Sequence, residues 1–146
     1  MQQRLSIKDL EPNAYKGLLE LEKYLAMSGL PVLTKELIKI RASQINGCAY
    51  CIELHTTAAR KAGETEQRIY ALSAWHESPL FTEEEKVLFA ITDEITLISK
   101  RGLTDKTFEE AKKYFDDNTI AQIIMQVITI NTWNRVAVST RMFHQH

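Results

Sequence analysis

The chain has 146 residues, enough for one domain with a core of its own. Hydrophobic residues make up 45% and charged residues 25%, a balance that excludes a disordered chain. The formal net charge of -1 gives no electrostatic reason to expect nucleic acid or an anionic membrane as partner, and no apolar run is long enough to span a bilayer.

Pro and Gly are scarce, and apolar residues recur at spacings of three and four. That pattern predicts helices throughout and an all-α fold, with residues 1–146 as a single domain. The opening residues have no apolar signal core, so a cytoplasmic location is expected. After a polar lead, Leu18, Leu19, Leu21, Tyr24 and Leu25 predict a helix over Pro12–Met27, ended near Gly29 and Pro31. A second runs from about Leu33 to Ile45. Spacing puts Glu36, Ile40, Ser43 and Gly47 on one of its faces, and Asn46-Gly47 is the breaker. A third begins at about Cys48 and runs to Lys61, before Gly63.

Thr65 is suited to cap a helix over Glu66–Trp75. Thr82 and Glu85 form a capping box that predicts a long helix reaching Gly102. Thr104 caps another to about Phe115, with Leu103 and Phe108 at the positions of a hydrophobic staple. The last helix is expected from Asn118 to Met142. Its apolar residues cover more than one face, which predicts burial on several sides and contact with another subunit. Trp75 and Trp133 are expected in the core or at that interface, and His76 at a helix end.

The chemistry concentrates in E-L-I-K-I-R-A-S-Q-I-N-G-C-A-Y-C-I-E-L-H, residues 36–55. It holds the only two cysteines, Cys48 and Cys51, with His55 one helical turn further on and Glu36 on the preceding helix. A C-x-x-C in a reducing compartment is more often a redox or metal centre than a structural staple. Offsets of three and four place Cys51 beside both Cys48 and His55. A helix N-terminus favours a thiolate, which is the form that attacks a peroxide or a disulfide. His55 is placed to take a proton from Cys51, and Glu36 to orient His55 or relay protons.

These parts allow a cycle in which one thiolate attacks a hydroperoxide and becomes a sulfenic acid. The other cysteine condenses with it, and an external dithiol reduces the disulfide. Nothing in that cycle needs a metal or a bound coenzyme. A protein disulfide reductase or isomerase is a second reading. A non-catalytic assembly module is a third, with a redox-sensing site or with zinc held by Cys48, Cys51, His55 and Glu36. The residues alone do not choose the attacking sulfur: Cys48 is nearer the helix start, whereas Cys51 is nearer the histidine.

The pattern E-x(11)-C-x(2)-C-x(3)-H resembles the alkylhydroperoxidase D-like family, within the carboxymuconolactone decarboxylase superfamily. The resemblance continues through T-T-A-A-R-K-A-G-E-T-E-Q-R-I-Y-A-L-S-A-W to F-T-E-E-E-K and returns at I-N-T-W-N-R. It implies an all-helical homo-oligomer, a trimer or hexamer, with peroxidase activity toward organic hydroperoxides or hydrogen peroxide. It implies Cys51 as the attacking and Cys48 as the resolving cysteine, with His55 and Glu36 as the proton relay. It also implies a lipoylated or thioredoxin-like protein as reductant. One departure is Tyr50, where the best-known member has a histidine before the second cysteine. The superfamily's decarboxylase branch does not use a C-x-x-C.

Overall fold

A computed structural model describes residues 2–144. Among them there is no strand, and no helix is long and apolar enough to cross a membrane. The polar lead contains a short helix the spacing does not announce, α1 (Ile7–Leu10), started by Ser6, whose Oγ accepts from the Asp9 amide. Helix α2 (Pro12–Met27) begins with proline, whose fixed φ suits a first helical turn. Helix α3 (Val32–Asn46) ends at Gly47, which adopts the left-handed conformation at φ 64°. That conformation reverses the chain at once, so α4 (Ala49–Lys61) packs back along α3.

Helix α3 is the hub, because it touches α4, α6 (Glu83–Thr96) and α9 (Asp117–Thr140). Its Leu37, Ile38 and Ile40 are buried with Phe89 and Ile91 of α6 and Ile123 and Val127 of α9. Arg41 of α3 donates to both oxygens of Asp93 on α6, at 2.6 and 2.8 Å. Trp75 Nε1 donates to the same carboxylate at 3.2 Å and so covers this end of the core. A smaller cluster of Ala42, Cys48, Cys51, Ile130 and Ala137 lies beside the main one.

Three boundaries differ from the sequence pattern. The helix after Thr65 is α only over Glu66–Ala71 (α5) and tightens to a 3-10 turn at Leu72–Ala74. The long helix predicted to Gly102 breaks at Leu97, and a separate turn, α7 (Ile98–Arg101), follows. The cause is a tether. Glu94 accepts from the Thr104 amide at 2.8 Å and from the Thr104 and Thr107 hydroxyls, so α8 (Asp105–Ala111) must fold back against α6. The α8 helix also stops at Ala111 rather than Phe115. Helix α9 spans Asp117–Thr140, capped by Asp116, and buries faces against α2, α3 and α6.

Gly47 makes the α3–α4 reversal possible. A Cβ built there has no atom within 4 Å, so only backbone strain opposes a side chain. Gly47→Ala should therefore cost about 1–2 kcal/mol of stability, read as a lowered urea midpoint with an unchanged slope.

Candidate active site

The α3–α4 reversal sets the two cysteines. The Cys48 amide donates to the Ser43 carbonyl at 3.0 Å, which fixes the residue just before α4. Cys48 is the N-cap of α4: its Sγ accepts from the Cys51 amide at 3.4 Å. Both are free thiols and both are buried, at 1% and 3% exposure. The Cys51 thiol donating to its sulfur brings Cys48 down to about 7 against the cost of burial, and the Cys51 amide and Asn134 act in the same direction. Cys51 is raised, first by Cys48 and then by burial, while Asn134 and Ser43 oppose the rise. Of the two, Cys48 at the helix cap is therefore the sulfur that gives up its proton first, while Cys51 keeps its own.

One turn along α4, His55 Nδ1 lies 2.9 Å from Glu36 Oε2. A carboxylate only accepts, so Nδ1 carries the hydrogen and Nε2 is the ring nitrogen left for other work. Lys39 Nζ donates to the other Glu36 oxygen, also at 2.9 Å. Burial raises the Glu36 pKa, but His55 and Lys39 outweigh it and hold the carboxyl below the ordinary 4.5. Among the described residues His55 bonds to Glu36 rather than to a sulfur. His55 and Cys51 meet instead on the wall of one cavity of about 230 Å³.

That cavity lies between α2, α4 and the end of α9, and Tyr15, Leu19, Leu54, Trp133 and Met142 give it an apolar lining. Cys51 lines it, whereas Cys48, at 1% exposure, does not. Trp133 therefore walls this space rather than filling the main core. Its Nε1 donates to Glu22 at 2.9 Å, and Tyr15 packs edge-on against it at 5.4 Å. Tyr50 stacks on His144 at 4.0 Å, and His144 Nε2 donates to the Tyr50 carbonyl at 3.1 Å. An imidazole from the far end of the chain thus stands beside the position where the resemblance leads one to expect a histidine.

All four residues singled out from the sequence fall in this region, as two pairs: Cys48 with Cys51, and Glu36 with His55. Among the described residues no three His, Cys, Asp or Glu side chains are grouped to hold a metal ion. Lys39 was not among the four singled out, although its offset of three from Glu36 was the available signal. Asn134 was not among them either; it lies on the α9 face of Ile130 and Ala137, which cluster with both cysteines.

Residues 12–94 match the carboxymuconolactone decarboxylase family. The chain belongs to that family. It is an AhpD-like member: a protein of unknown function from Agrobacterium tumefaciens, whose name suggests antioxidant defence of the AhpD type, superposes with a TM-score of 0.96. That structure is 40% identical, and the match covers 99% of both chains. The uncharacterized protein YdfG of Bacillus subtilis (strain 168) is 40% identical over 139 residues, 95% of each chain. A peroxidase-related protein of Silicibacter sp. TM1040 is 25% identical with a TM-score of 0.79, over 88% of this chain and 68% of that one.

Because folding lowers the Glu36 pKa, its ionisation stabilises the folded state above 4.5, and that contribution disappears as the pH falls through the lowered value. The stability gap between the natural chain and Glu36→Gln, measured by urea unfolding, should be full at neutral pH and close in acid. A gap independent of pH would show that the held charge is not this carboxylate.

Proposed function

We propose that the protein is a thiol-dependent peroxidase of the alkyl hydroperoxide reductase type. The observation that carries this reading is the placement of the two sulfurs. They are buried side by side at the start of α4, and Cys51 lines an apolar cavity that His55 also lines.

The steps follow from that placement. The Cys48 thiolate accepts the Cys51 proton, and the charge moves to the sulfur that faces the cavity. The Cys51 thiolate attacks the distal oxygen of a hydroperoxide; the O–O bond breaks and Cys51 becomes a sulfenic acid. The departing alkoxide takes up a proton that His55 Nε2 has drawn from solvent and leaves as an alcohol. Glu36 fixes the ring and stabilises its charged form. The Cys48 thiol then attacks the sulfenic sulfur, forming the disulfide and releasing water. An external dithiol returns both thiols and leaves as its own disulfide.

An apolar lining suits a hydroperoxide with a hydrocarbon portion. Burial of both sulfurs disfavours disulfide exchange on folded protein substrates, whose sulfurs would have to enter the cavity. The exposed Ile98 and Ile128, in a groove with Ile95, Leu103 and Ile124, support the homo-oligomer that belongs to this reading.

Reduced protein mixed with cumene hydroperoxide in a stopped-flow instrument should lose both thiols far faster than free cysteine reacts. The product should be lighter by two hydrogens. Cys51→Ser should abolish turnover, and Cys48→Ser should over-oxidise because nothing traps the sulfenic acid. Oxidation no faster than that of free cysteine, or full activity in Cys51→Ser, would overturn the mechanism.

A further inference from the structure

A one-way chain of hydrogen bonds runs from α9 to Ser43, whose carbonyl holds the Cys48 amide at 3.0 Å, and Asn134 within it shares the α9 face of Ile130 and Ala137, which cluster with both cysteines. Arg135 Nη1 donates to Asn131 Oδ1 at 2.9 Å and to its carbonyl at 3.0 Å. A guanidinium only donates, so the Asn131 amide oxygen must face it. The Asn131 Nδ2 is committed elsewhere, to Thr96 Oγ1 and the Val127 carbonyl. Asn46 Nδ2, from the last turn of α3, donates to Asn131 Oδ1 at 3.0 Å and to Asn134 Oδ1 at 2.9 Å. With its oxygen held by Asn46, Asn134 turns its NH₂ the other way, and Nδ2 donates to Ser43 Oγ at 2.9 Å. Ser43 Oγ now accepts, and its own hydrogen is free to donate.

Every orientation in this chain is forced by the link before it, back to the fixed charge of Arg135. Its inner end is deep: Asn134 is 1% exposed and Ser43 0%. A charge moved into such a place needs donors, because water cannot reach it.

We propose that Asn134 and Ser43 are positioning residues for the dithiol, an oriented donor pair that holds its negative charge, and that Asn46 fixes their polarity. Their reach is unequal. Asn134 favours the anion of both cysteines, whereas Ser43 favours that of Cys51. The amide thus supports the charge at rest and after its transfer, and the hydroxyl supports the sulfur that attacks. The assignment rests on the peroxidase reading only in treating these sulfurs as the reactive groups.

The test is the pH profile of thiol alkylation by iodoacetamide, with each cysteine followed by peptide mass, in the natural chain and in Asn134→Ala, Asn46→Ala and Ser43→Ala. Asn134→Ala should move the alkylation midpoint upward and slow alkylation of Cys51, the sulfur on the cavity wall, roughly tenfold at neutral pH, as expected for one lost hydrogen bond to a charge. Asn46→Ala, which touches neither sulfur, should shift the midpoint in the same direction. Ser43→Ala should slow alkylation of Cys51 as well. Unchanged profiles in folded Asn46→Ala and Ser43→Ala, checked by circular dichroism, would overturn the proposal even if Asn134→Ala failed to fold. Alkylation involves no peroxide, so a chain inert to hydroperoxides but shifted in these variants would remove the peroxidase reading and leave the donor pair standing.

Discussion

A carboxylate taken out of water must be paired, and Glu36, at 8% exposure, is the buried charge around which α3 and α4 close. Its two oxygens are divided between Lys39 on its own helix and His55 on the next. The division does two things. It ties the early part of α3 to the middle of α4, away from the Gly47 turn. It also fixes the His55 tautomer and ring orientation, which a histidine held only by packing would lack. The cavity wall and the dithiol cap are both built on the hairpin that this pairing closes.

The residues within this hairpin were legible in the sequence because they are local. Glu36, Cys48, Cys51 and His55 lie within 20 residues, and two helices with one breaker suffice to bring them together. The ends of α2 and the start of α6 were equally readable, since a proline at the first turn and a Thr82–Glu85 box act within a single turn. What depended on distant partners was not. The break at Leu97 follows from Glu94 reaching forward to Thr104 and Thr107, a constraint that no periodicity carries. Lys112–Tyr114 continue the polar pattern of α8 but leave the helix in turns. Asn134 and Arg135 stood out only as members of I-N-T-W-N-R, with nothing to say which element they would meet.

The two cysteines show why spacing alone left the attacking sulfur open. Proximity to the helix start favours Cys48 as the anion; the cavity is lined by Cys51. In an isolated pair those statements would compete. In a hydrogen-bonded pair they describe two positions of one charge, and a macroscopic titration belongs to both sulfurs together. Stability and access can then be assigned to different atoms, so the anion rests where the helix holds it and acts where a substrate can arrive.

The Cys48 cap also bears on redox poise. A thiolate that accepts from the Cys51 amide at the start of α4 is a stabilised product of reduction, and a disulfide sulfur is a poorer acceptor in the same place. Oxidation therefore strips α4 of its cap, while reduction restores it. Whatever stabilises the reduced thiolate raises the reduction potential of the couple, so the disulfide is a stronger oxidant than an uncapped one. Helix capping, ordinarily a matter of local stability, becomes here a bias that hands electrons readily from an incoming dithiol to the protein.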